Sequence, residues 1–158
     1  MNKDYNVNRH SCYKLTYHLV VVTKYRNKVI NKEISNRLKE ITLDVMQSSF
    51  KCDVIEFNCE SDHMHILFEA PPQVQISKIV NSLKTVTSRR LRKEFEEHIS
   101  KYYWKPYFWS NSYLVLTTGG APIEIIKKYI QSQDTPNKFY ITLLTPLKLP
   151  SANWKGIA

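Results

Sequence analysis

The stretch Cys59-Glu60-Ser61-Asp62-His63-Met64-His65-Ile66-Leu67-Phe68-Glu69-Ala70 alternates side-chain character from His63 onward, which is the pattern of a β-strand with one buried face. Period two puts Met64, Ile66 and Phe68 on one side and His63 and His65 on the other. Two imidazoles at adjacent same-face positions lie roughly 7 Å apart at Cα, close enough to converge on one metal ion or one phosphate.

Working outward, Phe50 to Asn58 reads as a second short strand, and the four residues Cys59 to Asp62 between the two predict an antiparallel pair. Ala70-Pro71-Pro72-Gln73 stops the histidine strand. Upstream, Cys12 to Tyr25 is rich in β-branched and aromatic residues and has no Gly or Pro, so it predicts one long strand; its Val20-Val21-Val22 run predicts cover on both faces. Between these strands Ile34, Leu38, Ile41 and Val45 recur at helical spacing, with Asn31 as N-cap. Downstream, Ile76, Ile79, Val80, Leu83, Val86, Leu91 and Phe95 mark a second helix whose polar side carries Lys78, Lys84, Arg89, Arg90, Arg92 and Lys93. The aromatic cluster Tyr102 to Trp109 follows, and then a fourth strand, Ser112 to Leu116. The order β, α, β, β, α, β predicts an α+β, ferredoxin-like split βαβ fold: a four-stranded antiparallel sheet with two helices on one face.

Gly119-Gly120 reads as a hinge, and Pro122 suits the first turn of a further helix, Ile123 to Gln133. Tyr129 and Gln133 stand four residues apart on that helix, so a phenol and a carboxamide project together. Phe139 to Leu144 is a candidate strand in a tail, 135–158, that is otherwise uninformative.

The 158 residues suit one domain, taken here as 1–134 with the tail behind it. Lys and Arg number 23 against 14 Asp and Glu, a net charge of +9, which favours a polyanionic partner, nucleic acid before membrane. Three cysteines, Cys12, Cys52 and Cys59, form no disulfide framework. The first residues lack the apolar core of a signal peptide, and no apolar run approaches the roughly 20 residues of a spanning helix, so a cytoplasmic protein is expected.

Taken singly, these features have ordinary explanations. Two histidines on a strand are often hydrogen-bonded surface groups, and Tyr129 is one of ten tyrosines. Cys59 with His63 and His65 would suit a structural zinc site, although no fourth ligand of zinc-finger spacing follows. Of the aromatics, Tyr103, Trp104 and Trp109 are candidates for stacking on bases, and packing under a loop is the competing reading.

In combination and in order, from about Cys12 to Gln133, Asp62-His63-Met64-His65, the basic helix Ser82 to Arg92, Trp104 to Trp109, Thr118-Gly119-Gly120 and Tyr129 to Gln133 resemble the single-tyrosine HUH transposases of the smallest bacterial insertion sequences, the IS-two-hundred type. The resemblance implies a homodimer with composite active sites, a divalent metal (Mg²⁺ or Mn²⁺), and cutting and rejoining of single-stranded DNA at hairpin-marked ends through a 5′-phosphotyrosine. Carried over by position, His63, His65 and Gln133 are the metal ligands and Tyr129 the nucleophile; Lys84, Arg89, Arg90, Arg92 and Trp104 are the DNA-binding candidates. A relative domesticated to process host repeats would carry the same catalytic set. A non-catalytic nucleic-acid-binding module on the same fold is the rival from another class.

Overall fold

The computed structural model describes residues 6–117. The Gly119-Gly120 hinge, the helix bearing Tyr129 and Gln133, and the 139–144 strand lie outside the described residues.

Strand β1 (Asn6–Val7) pairs with β2 (Cys12–Tyr13) in a small ladder of its own. The sheet proper begins with β3 (Thr16–Thr23) and continues, after helix α1 (Lys32–Asp44), with β4 (Asp53–Cys59) and β5 (His63–Glu69). Helix α2 (Ile76–Glu94), a short α3 (Glu96–Ile99) and β6 (Trp109–Thr117) complete it. The strand order is β4-β5-β3-β6, every neighbour antiparallel. That is the ferredoxin-like arrangement, with the two central strands, β3 and β5, separated in sequence by a helix and a strand.

Both long helices cover one face of the sheet. Ile34, Leu38 and Ile41 of α1 and Ile79, Leu83 and Leu91 of α2 form one core with Leu19, Val21, Met64, Ile66 and Phe68 from the central strands. Each fully buried side chain of this size contributes about 1.5–3 kcal/mol. Asn31 caps α1, its side-chain oxygen accepting the Ile34 N–H at 2.9 Å. Trp109 Nε1 donates to Thr87 Oγ1 at 2.9 Å and so ties the start of β6 to the middle of α2.

Three expected boundaries move, each for a local reason. The single strand expected over Cys12 to Tyr25 is divided: Cys12–Tyr13 pairs with Asn6–Val7, and Thr16–Thr23 alone enters the sheet. Its downstream end is a 3-10 turn, Lys24–Arg26, in which Tyr25 (φ 60°) and Arg26 (φ 57°) are both left-handed. The strand expected from Phe50 starts at Asp53, because α1 runs on into a π-helical turn, Val45–Ser49, and Lys51 (φ 55°) reverses the chain. The fourth strand is longer than expected, opening at the buried Trp109. Val20 and Val22 are buried although they lie on the face away from the helices, as their apolar run implied. Among the described residues no helix is long and apolar enough to cross a membrane.

Candidate active site on the sheet face opposite the helices

The alternation in β5 is realised in full: Met64, Ile66 and Phe68 are buried under the helices, while His63 and His65 stand half-buried on the opposite face. The register sets their neighbours, Val22 beside His63, and Asn58 and Val20 on either side of His65. On that face the two imidazoles are held by different tethers.

His63 Nδ1 lies 2.8 Å from Asp62 Oδ1, and Asp62 Oδ2 accepts from Arg26 Nε at 3.0 Å and Arg26 Nη2 at 2.7 Å. Burial pushes the Asp62 carboxyl up, but the bonds from His63 and Arg26 outweigh it and hold the group below the usual carboxylate range. An ionised Asp62 accepts the Nδ1 proton of His63, which leaves the Nε2 lone pair available to a cation. The two left-handed residues just before this pairing each cost about 1–3 kcal/mol, and a conformation of that kind persists only where its surroundings fix it. Thr23 N–H donates to Asp62 O at 2.9 Å, Thr23 Oγ1 donates to Asn27 O at 2.8 Å, and Tyr103 Oη donates to Lys24 O at 2.7 Å, so the turn is braced from three sides.

His65 Nε2 is 2.9 Å from Nδ1 of His18, and the two rings lie nearly parallel, edge to edge, with centroids 5.2 Å apart at 9°. Burial, and for His65 the neighbouring His18 as well, lowers both imidazole pKa values, so both are neutral at neutral pH. His18 was not singled out from the sequence. The signal was present: it alternates with Leu19 and Val21 in a strand that the ferredoxin-like order sets beside the histidine strand.

Two imidazoles on one face, one with its Nδ1 tied to a carboxylate, suit a divalent ion as two of its ligands. Among the described residues no three His, Cys, Asp or Glu side chains are placed to hold a metal ion by themselves. Tyr129 and Gln133 lie outside the described residues. The Cys59 alternative does not hold: Cys59 sits opposite Met64, packs on the helix side of the sheet, and has its thiol pushed up to about 11, chiefly by burial.

The basic candidates divide into two sets. Lys84, Arg89 and Arg92 line a groove of about 380 Å³ between α2 and the start of β6, with Tyr107 on its far wall. Arg92 also borders an adjoining depression of about 250 Å³ formed with Trp104 and Lys105. Lys84 Nζ is already engaged with the Asn111 carbonyl at 3.0 Å, and burial lowers its pKa. Arg90 turns away toward Asp44 of α1, 3.5 Å distant. Of the three stacking candidates, Trp104 is 87% exposed, with Lys105 Nζ 4.5 Å from its ring centroid. Tyr103 and Trp109 are only 5% and 6% exposed and serve the core instead.

Fold and site together define a ferredoxin-like protein with an HxH strand facing away from its helices. The IS200-like transposase family matches residues 11–133, and the chain belongs to that family. ISDra2 transposase TnpA of Deinococcus radiodurans is 34% identical over 121 residues, covering 77% of this chain and 85% of that protein. The transposase for insertion sequence element IS200 of Salmonella typhimurium is 28% identical over 137 residues, covering 87% and 88%. The crystal structure of a Deinococcus radiodurans protein classed as a candidate transposase shares the fold with a TM-score of 0.73 at 33% identity, covering 81% of this chain and 97% of that one.

Proposed function

We propose that this transposase cuts and rejoins single-stranded DNA at hairpin-marked ends by transesterification through a 5′-phosphotyrosine on Tyr129. The observation that carries the reading is the face shared by His63 and His65, with Asp62 engaging Nδ1 of His63 and so leaving Nε2 as the nitrogen for a ligand. With Gln133 as third ligand these side chains would hold Mg²⁺ or Mn²⁺, a cation that polarises the scissile phosphate and stabilises charge on its non-bridging oxygens when bound. Tyr129 attacks phosphorus, the P–O3′ bond breaks, and the 3′-oxygen leaves with a proton; rejoining reverses the exchange with a 3′-hydroxyl as nucleophile. One phosphodiester replaces another, so no nucleotide energy source enters. Lys84, Arg89 and Arg92 would contact phosphates, Arg90 at the flank, with a base stacked on Trp104. The working unit is a cytoplasmic homodimer with composite active sites, and residues 1–134 form its catalytic domain.

The test is a hairpin-ended single-stranded oligonucleotide incubated with protein and Mn²⁺. A covalent adduct that survives a denaturing gel is expected, and Tyr129→Phe abolishes it. An adduct formed by Tyr129→Phe refutes the role of Tyr129, and hairpin binding without any adduct favours a non-catalytic module.

A further inference from the structure

We propose that His18 is the positioning residue of His65, fixing which ring nitrogen His65 offers to a divalent cation. The inference rests on the metal reading above and adds to it a residue of β3. His63 and His65 share a face, and each has one nitrogen engaged: Nδ1 of His63 at Asp62 and Nε2 of His65 at His18. The second contact is a bond between nearly parallel rings meeting edge to edge, 2.9 Å between nitrogens, 5.2 Å between centroids and 9° between ring planes. A neutral imidazole carries one N–H and one lone pair. When Nε2–H of His65 donates to Nδ1 of His18, the lone pair of His65 is on Nδ1, and the in-plane bond holds the ring in that orientation. His18 is anchored on the central strand, opposite Leu67 on one side and Leu116 on the other, so it is a fixed partner. A ligand imidazole is ordinarily oriented by a carboxylate or a carbonyl; here one of the pair is oriented by a third imidazole.

The test uses the full chain with Mn²⁺ alone, followed by paramagnetic resonance, and long-range ¹⁵N–¹H spectra of the imidazoles without metal. Wild type is expected to show His65 as a single tautomer. His18→Phe keeps an aromatic ring at the position and drops the nitrogen; it is expected to mix the His65 tautomers and weaken Mn²⁺ binding by about 10- to 100-fold. His18→Asn returns a polar atom near the position of Nδ1 and recovers most of that loss. Mixed His65 tautomers in the wild type, or His18→Phe binding Mn²⁺ within about twofold of wild type, overturns the proposal. Mn²⁺ binding that is equal in wild type and His63→Ala instead refutes the metal reading itself, and with it this one.

Discussion

The two faces of β5 differ in what a side chain is there to do. Toward the helices, Met64, Ile66 and Phe68 are buried among aliphatic partners from both helices and β3. One residue out of phase, His63 and His65 are half-buried and each is bonded to a polar neighbour. The first face is specified by volume, and many apolar sets fill a volume. The second is specified by direction, because an imidazole one nitrogen out of place is no ligand. Stability therefore belongs to the first face and chemistry to the second.

The largest expected effect tests that division directly. Phe68→Ala removes a fully buried ring and is expected to destabilise the fold by about 3–5 kcal/mol in urea unfolding. Against a total of about 5–15 kcal/mol this is severe. The adjacent Leu67→Ala, half-buried on the histidine face, is expected to cost about 1 kcal/mol. Equal losses at the two positions break the comparison.

Asp62→Ala acts on direction. It removes the acceptor for His63 Nδ1 and leaves the Arg26 guanidinium without that carboxylate. Mn²⁺ affinity should fall by about 10- to 100-fold, with Asp62→Asn nearer to wild type because its carbonyl still accepts from His63. Unchanged affinity in both variants would mean that His63 does not need orienting.

How far each face was legible in the sequence follows from the same contrast. The buried face was read almost completely, since Ile34, Leu38, Ile41, Met64, Ile66 and Phe68 announce themselves by period. The histidine pair was legible for the same reason. Its tethers were not: Arg26 reaches Asp62 only because Tyr25 and Arg26 adopt left-handed backbone, which neither residue type favours. His18 meets His65 through strand pairing 47 positions away, on a diagonal that periodicity alone does not give. The strand boundary at Asp53 was missed because a π-helical turn extends α1 past the end of its regular pattern. Tyr103 and Trp109 had the composition of stacking residues, and packing claimed them.

A smaller effect separates the groove from the helix flank. Arg92→Ala should weaken hairpin DNA binding and reduce the slope of log K against log salt by about 0.7, the increment for one single-strand phosphate contact. Arg90→Ala, whose partner is Asp44, should change the slope less. Equal slopes for the two variants would deny the groove any special part in binding.

The smallest effect concerns a polar atom that, among the described residues, is buried on the helix side without a hydrogen-bond partner. Thr87 and Thr42 are both fully buried on α2 and α1. Thr87 Oγ1 donates to the Leu83 carbonyl at 2.6 Å and accepts from Trp109 Nε1, so it joins helix to strand. Thr42 Oγ1 is buried with no hydrogen-bond partner. An unpaired buried hydroxyl keeps its desolvation cost and returns nothing, whereas a methyl group of similar size has no such cost. Thr42→Val should therefore leave thermal stability unchanged or raise it by up to about 1 kcal/mol, while Thr87→Val, which strands the indole N–H of Trp109, should lower it by about 1–3 kcal/mol. The opposite signs follow from hydrogen-bonding alone, since the two replacements alter shape and helix preference alike. A destabilised Thr42→Val would show that its hydroxyl has a partner in solution, and that the face built on volume carries a second directed bond beside that of Thr87.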